Sequence, residues 1–216
     1  MTRPLGVILA GGLATRMGGG DKTLLALGGK PLLAHVMARL GPQVAGMALN
    51  ANGDPSRFAR HGLPVLGDSI DGFVGPLAGV LAGLDWAAGL GADRIVTVAG
   101  DTPFFPADLV DRLEAVSAGQ VHPLVLAATP RGDQITKSMS RSGAIRHPTF
   151  GLWPVALRND LRAALADGLK KVVLWTDRHG GREALFEEPG DPFFNVNTPD
   201  DLRAAERMLA PPGAAR

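Results

Sequence analysis

Short apolar runs alternate along this chain with segments whose apolar residues recur at helical spacing. Residues 5–10 form such a run, which is rich in branched side chains and ends at two glycines, as is typical of a buried parallel strand. Further strands are predicted over residues 44–50, 63–66, 94–99, 124–128 and 150–154. Helices are predicted over residues 31–40, 55–61, 76–88, 106–118, 156–166 and 198–209.

This alternation predicts an α/β fold of three layers, in which helices cover both faces of a mostly parallel, doubly wound sheet. We expect one domain over residues 1–210 and a disordered tail over residues 211–216. Residues 170–176 fit either a helix or a strand, and residues 184–186 and 193–196 are predicted as short strands. Residues 129–146 are polar and have no period, which indicates a long loop that is functional or mobile.

The composition narrows the possible functions. Lys and Arg number 22 against 21 Asp and Glu, so the chain lacks the basic excess that a nucleic-acid partner requires. It has no Cys, which excludes disulfides, thiolate metal sites and a Cys nucleophile. No apolar run approaches the ~20 residues of a membrane span, and the first residues do not resemble a signal peptide. We therefore expect a cytoplasmic protein that binds neither nucleic acid nor a membrane.

A glycine-rich segment over residues 9–22 follows the first predicted strand directly. Its five glycines allow backbone N–H groups to approach a ligand closely, and such a concavity binds phosphates. Arg16 can hold phosphate oxygens in a bidentate manner, and Lys22 adds a point charge. The segment matches neither the dinucleotide-binding fingerprint nor the P-loop. The pattern predicts a triphosphate site; the alternative is a turn with solvated charges.

Polar side chains near the predicted strand ends are the next candidates. Asp101 follows a buried strand, at the edge where open α/β sheets bind ligands, and its hard oxygens suit Mg²⁺ together with substrate phosphates. A turn cap is the alternative role. Asp68 and Asp71 lie in a loop, where a carboxylate can accept both the N1–H and N2–H₂ donors of guanine or simply be solvated. Asn50 ends a strand and could contact the base or ribose, or only favour a turn.

An ordered set of motifs resembles one enzyme family, the molybdenum cofactor guanylyltransferases. The motifs are LAGG-x₃-RMGG-x-DK at residues 9–22, GKPL at 29–32, NAN at 50–52, GPLAG at 75–79, DTP at 101–103, HPT at 147–149 and NVNTP at 195–199. The resemblance extends over residues 5–209. It implies a Rossmann-like nucleotidyltransferase fold and the transfer of GMP from GTP to the terminal phosphate of molybdopterin, with Mg²⁺ and release of pyrophosphate.

The resemblance also implies roles for individual residues. Arg16, Lys22 and Asp101 would be catalytic, with Asp101 also holding the metal. The residues expected to bind the nucleotide are Leu9, Ala10, Gly11, Gly12, Gly19, Lys22, Asn50, Asp68, Gly75, Gly79 and Asp101. Those expected near the acceptor are Arg146, His147, Asn195 and Asn197. Gly75 and Gly79 could instead serve close helix packing, and the basic stretch before His147 could be a solvated loop.

Three other functions remain as alternatives. A molybdopterin cytidylyltransferase would resemble L-A-A-G at the first loop, where this chain has Ala10-Gly11-Gly12. A sugar-1-phosphate nucleotidyltransferase carries a longer loop ending in Pro-Lys, whereas Lys22 follows Asp21 here. A non-catalytic GTP-binding carrier of the cofactor would not need Arg16, Lys22 and Asp101 together. Delivery of the product further implies contact with other proteins of molybdenum cofactor biosynthesis.

Overall fold

The computed structural model describes residues 2–11, 21–70, 75–130 and 143–209. Its strands are β1 (Leu5–Leu9), β2 (Ala26–Leu27), β3 (Lys30–Pro31), β4 (Gly46–Asn50), β5 (Val65–Leu66), β6 (Arg94–Ala99), β7 (Val125–Thr129), β8 (Ile145–Pro154) and β9 (Arg182–Leu185). Its α-helices are α1 (Leu32–Leu40), α2 (Pro76–Gly89), α3 (Leu109–Ser117), α4 (Arg158–Ala166), α5 (Val172–Arg178) and α6 (Pro199–Leu209).

Seven strands form one sheet in the order β5-β4-β1-β6-β8-β7-β9. β1 lies between β4 and β6 and runs parallel to both, because the helices between them return the chain to the same edge. Among the strands of this sheet that the structure describes, only β8 is antiparallel to its neighbours. The mostly parallel, doubly wound α/β architecture is therefore confirmed. The strand order reverses beside β1, which leaves a crevice at the carboxyl ends of β1 and β6.

Apolar side chains cover both faces of the sheet, which gives the three predicted layers. Alternate residues of each strand point to opposite faces. One apolar cluster joins Ile8 and Val98 to α1 and α3, and the other joins Val7 and Ile95 to α2, α4 and α5. A third, smaller cluster packs α6 against the β2–β3 hairpin through Leu27, Leu32, Val196 and Ala205.

In the last third of the chain, one predicted strand is absent and one open alternative is resolved. Residues 193–196 do not form the predicted strand; they follow an irregular path in which Val196 N donates to Asp101 O at 2.9 Å. Residues 172–178 are helical, which resolves the alternative left open for residues 170–176, because helical spacing buries Val172, Trp175 and Thr176 together.

Strand β8 begins at Ile145, five residues before the predicted start at residue 150. The polar residues at its start are extended because they pair with β7, with Arg146 opposite Ala128 and His147 opposite Ala127. They belong to a strand and not to a loop, so the prediction of a loop reaching residue 146 was wrong. Smaller shifts affect other ends: α3 begins at Leu109, and residues 55–61 form a 3₁₀-helix.

Several predictions fall on residues outside the described ranges. These are the roles of Gly12, Arg16 and Gly19, the loop acid Asp71, most of the 129–146 loop and the tail at 211–216. The prediction of one domain over residues 1–210 stays a prediction. Among the helices that the structure describes, none is both long enough and apolar enough to cross a membrane.

Candidate active site

A cavity of about 580 Å³ opens at the carboxyl ends of β1, β4 and β6. Each of these strands contributes its last residue to the wall, namely Leu9, Asn50 and Ala99. The other lining residues are Ala10, Gly11, Asp21, Lys22, Thr23, Asn52, Arg57, Asp68, Gly75, Pro76, Asp101 and Thr149. The cavity therefore lies in the crevice where a doubly wound sheet binds its ligands. It brings together most of the predicted nucleotide-binding residues that the structure describes.

At one end of the cavity, the ammonium group of Lys22 lies between two side-chain oxygen atoms. Lys22 Nζ donates to Asp101 Oδ2 at 3.0 Å and to Asn197 Oδ1 at 2.7 Å. The Lys22 and Asp101 side chains are 15% and 22% exposed, so the ion pair is partly shielded from water. Asp101 follows Gly100 at the end of β6, and its carbonyl holds residue 196, which brings Asn197 to the same point. The predicted catalytic pair is therefore in contact, and Asn197 joins it.

The other end of the cavity presents a carboxylate held by two amides. Asn50 Nδ2 donates to Asp68 Oδ1 at 2.9 Å, and Asn52 Nδ2 donates to Asp68 Oδ2 at 2.7 Å. Asn52 Oδ1 in turn accepts from Asp68 N at 2.8 Å. The carboxylate is fixed at both oxygens, so its orientation toward the cavity is set before any ligand binds.

Gly79 supports this arrangement without lining the cavity. A Cβ atom at this position would lie 2.2 Å from Asn50 Oδ1 and 2.9 Å from Leu9 Cδ2, which is too close for a real side chain. The glycine therefore allows α2 to pack directly on the ends of β1 and β4. Gly75 and Pro76, by contrast, line the cavity at the start of α2, whose N-terminal N–H groups favour an anion.

Two polar residues in the cavity wall, Arg57 and Asn52, were not among the predicted site residues. Arg57 Nε donates to Asp21 Oδ2 at 2.6 Å, and the remaining guanidinium nitrogens donate to the backbone carbonyls of Asn52 and Asp54. No spacing or motif singles out Arg57. Asn52 could have been found, because it stands in the NAN motif two residues after Asn50.

The residues predicted to bind the acceptor are divided between two places. Asn197 contacts Lys22, and Asn195 Oδ1 accepts from the Thr102 hydroxyl beside the Asp101 carboxylate. Arg146 and His147 do not line the cavity that the structure describes. Arg146 Nη1 instead donates to Asp177 Oδ1 at 2.6 Å, with only 9% of the arginine side chain exposed.

His147 is packed as a neutral side chain. Its ring stacks on Phe193 with centroids 4.2 Å apart, and its Nε2 is 3.0 Å from Thr129 Oγ1. Burial lowers the pKa of His147 to about 4, because the charged imidazolium loses its hydration there. His147 therefore provides no positive charge for an acceptor phosphate near pH 7.

The donor set near Lys22 suits a hard cation. Asp101 Oδ2 and Asn197 Oδ1 already face one cationic group, the Lys22 ammonium. Within the described residues, no three Asp, Glu or His side chains are grouped so as to hold a metal by themselves. Mg²⁺ binds readily through one or two protein oxygens when phosphates supply the rest, so this carboxylate fits the predicted metal ligand.

The chain is similar in sequence to known nucleotidyltransferases. A family model described as the MobA-like NTP transferase domain matches residues 6–181. A molybdenum cofactor guanylyltransferase of Mesorhizobium japonicum is 50% identical over 210 residues, which cover 94% of this chain and 95% of the relative.

Solved structures share the fold at lower sequence identity. Molybdopterin-guanine dinucleotide biosynthesis protein A from Archaeoglobus fulgidus has a TM-score of 0.68 and 23% identity, covering 94% of this chain and 97% of its own. A putative glucose-1-phosphate thymidylyltransferase from Bacillus anthracis has a TM-score of 0.70 and 17% identity, covering 94% of both chains. At these identities the likeness shows a common nucleotidyltransferase fold.

Proposed function

Because the chain belongs to the molybdenum cofactor guanylyltransferases, which carry the MobA-like NTP transferase domain, we propose that it transfers GMP from GTP to the phosphate of molybdopterin. The products are the guanine dinucleotide form of the cofactor and pyrophosphate. The observation that carries the proposal is that the Lys22–Asp101 pair and the Asn50–Asn52–Asp68 cluster line one and the same cavity. Since GTP is an abundant cytoplasmic nucleotide, we place the reaction in the cytoplasm.

The two ends of the cavity divide the binding of GTP between them. Asp68 binds the nucleoside, since a carboxylate can accept hydrogen bonds from N1–H and N2–H₂ of guanine, a pair of donors that cytosine and adenine lack. The side-chain amides of Asn50 and Asn52 fix the orientation of that carboxylate before the nucleotide binds. Lys22, the N-terminus of α2 and the backbone around Gly11 bind the triphosphate. Gly12, Arg16 and Gly19, which continue the same segment of sequence, belong to this half of the site in the proposal.

The transfer needs no nucleophile from the protein, because the molybdopterin phosphate is already an anion at pH 7. It attacks the α-phosphorus of GTP in line with the leaving pyrophosphate, so catalysis consists of positioning and charge neutralisation. Lys22 and Arg16 stabilise the charge that develops on the pyrophosphate. Asp101, with the neighbouring Asn197 oxygen, would hold Mg²⁺, which when bound neutralises phosphate oxygens.

The acceptor enters the cavity from the side of β8 and the 195–197 segment. Thr149 of β8 lines the cavity, and Asn197 already contacts Lys22. Arg146 and His147 act on this side through the strand that they help to build, because their own side chains are engaged elsewhere. Transfer of the finished cofactor to other proteins of its biosynthesis is part of the same proposal.

The experiment that tests the function measures pyrophosphate release with Mg²⁺ and molybdopterin, comparing GTP, CTP and ATP. Turnover with GTP alone is the expected result. Turnover with CTP would keep the chemistry and overturn the role given to Asp68. Tight GTP binding without pyrophosphate release would favour the non-catalytic carrier. Removal of Mg²⁺ with a chelator should abolish turnover.

Two variants test the roles given to the charged pair. Asp101→Asn and Lys22→Met should each lower kcat by about 100-fold or more, which is the usual cost of removing a group that stabilises developing charge. Circular dichroism should show that both variants keep the fold. Arg60→Ala is the matched control, because Arg60 is exposed and lies outside the cavity wall. Near-normal turnover in well-folded Asp101→Asn protein would contradict the assignment.

A further inference from the structure

Arg57 lies between the two halves of the cavity and contacts both. Its Nε donates to Asp21 Oδ2 at 2.6 Å, and Asp21 directly precedes Lys22, the residue that contacts Asp101. Its terminal nitrogens donate to the carbonyls of Asn52 and Asp54, in the loop that follows β4. The guanidinium carbon lies 4.5 Å from the centroid of the Phe58 ring, and Phe58 is buried in the core.

The contacts continue from the Arg57 guanidinium to the residues that would bind the ligand. The backbone carbonyl of Asn52 accepts from Arg57, while the Asn52 side chain holds Asp68 through two hydrogen bonds. On the other side, Asp21 brings the start of the 22–24 turn against Arg57. The Arg57 and Asp21 side chains are 27% and 16% exposed, so the ion pair is partly removed from solvent and less screened than a surface pair.

From this geometry we propose that Arg57 is a positioning residue that ties the phosphate half of the site to the nucleoside half. The identity of the nucleotide in this proposal rests on the proposed function. The connection that Arg57 makes between the two halves of the cavity rests only on the contacts of Arg57 described above. Arg57 fixes the distance between Lys22 and Asp68 before the nucleotide binds. One GTP molecule can then contact both residues without first ordering the loop that follows β4. An arginine suits this role because its planar group donates in three directions at once.

The tie predicts a specific pattern of binding. Arg57→Ala should weaken GTP about tenfold, within the range of coupling energies between groups in one hydrogen-bonded network. Guanosine, which reaches only the Asn50–Asp68 half, should weaken by less than about threefold. The KM for GTP should rise while kcat changes little, because the contacts of Arg57 are with Asp21, Asn52 and Asp54 and not with Asp101, the expected metal ligand. Arg57→Lys should recover part of the loss, since an ammonium can keep the contact with Asp21.

The experiment measures displacement of a fluorescent GTP analogue by GTP and by guanosine, together with steady-state kinetics. Arg60→Ala is the matched control: it removes the same charge from the same 3₁₀-helix but from an exposed position outside the cavity wall. A double variant adds a test of the tie. In an Asp21→Ala background, Arg57→Ala should cost less than about threefold in GTP affinity, because the contact of Arg57 with residue 21, which is its link to the phosphate half, is already lost.

The outcomes separate this inference from the proposed function. Equal GTP affinities for Arg57→Ala and Arg60→Ala would overturn the inference. Equal losses for GTP and guanosine, or an unchanged loss in the Asp21→Ala background, would also overturn it. If the wild-type protein releases no pyrophosphate from GTP while Arg57→Ala still weakens GTP and spares guanosine, the proposed function fails and the inference stands. If the wild-type protein uses CTP, the same comparison is made with CTP and cytidine.

Discussion

At the scale of single residues, His147 shows how burial decides the chemistry of a side chain. The ring lies between Phe193 and Thr129, and this environment lowers its pKa to about 4 from an ordinary value of 6.5. The neutral ring packs well, whereas a charged ring would lose its hydration. The folded protein therefore resists protonation of His147, while the unfolded chain accepts the proton near pH 6.5.

A depressed folded-state pKa contributes stability above pH 6.5, and this stability is lost as the pH falls from 6.5 toward 4. Between pH 7.5 and pH 5.0, the wild-type free energy of unfolding should fall by about 2 kcal/mol more than that of His147→Gln. Urea titrations of both proteins at the two pH values measure the difference. Parallel losses in the two proteins would show that His147 titrates normally in the folded state.

At the scale of elements, the close contact of α2 with the ends of β1 and β4 decides the shape of the site. Gly79 lets the first turns of α2 rest on Asn50 and Leu9. Gly83, one turn further along, likewise packs against Val7 and Ile95, where a Cβ atom would lie 2.8 Å and 2.9 Å from their side chains. The position of the helix start that lines the cavity is thus set by small residues on the face of α2 that packs against the sheet.

Substitution of Gly79 tests this dependence. Gly79→Ala should lower the free energy of unfolding by about 1–3 kcal/mol, the usual cost of overpacking, and should weaken GTP by pushing Asn50 away from Asp68. The control is Gly89→Ala at the other end of α2, where an added Cβ meets nothing within 4 Å. Calorimetry and GTP titration of the two variants give the comparison. Equal behaviour of the two would show that the helix moves away at little cost.

At the scale of the whole molecule, one sheet connects all parts of the site. β1, β4 and β6 supply adjacent walls of the cavity, and the apolar clusters on the two faces share these strands. Because β1 is hydrogen-bonded to both β4 and β6, the three walls belong to one hydrogen-bonded framework. This arrangement favours a single cooperative unit, as expected for residues 1–210.

A cooperative unit should unfold in one step. Scanning calorimetry should show one transition with equal calorimetric and van't Hoff enthalpies. GTP at 100 times its Kd should stabilise that whole transition by about 2.7 kcal/mol, because it binds only the folded state. Two transitions, or a shift of only part of the heat absorption by GTP, would contradict the prediction of one domain.

The sequence by itself determined those features that local patterns encode. Strand β6 has the bounds that the sequence predicts, residues 94–99, because its mostly apolar run, rich in branched residues, lies between turn residues and favours a buried strand. The strand ends then placed Asn50 and Asp101 at one edge, and the glycine-rich segment placed Lys22 near them. The ordered motifs indicated the family before any geometry was known.

Only the tertiary structure decided which polar groups meet. Lys22 and Asn197 are 175 residues apart, and Arg57 reaches Asp21 across 36, so no local spacing relates them. The start of β8 depends on its pairing with β7, which turned an apparent polar loop into a strand. It also placed Arg146 beside Asp177 and not beside the cavity. The periodicity of apolar residues within one element can be read from its own sequence, and it predicts which face of the element is buried. Hydrogen bonds and ion pairs between side chains depend instead on how elements that are distant in sequence pack together. The sequence alone therefore could not predict them.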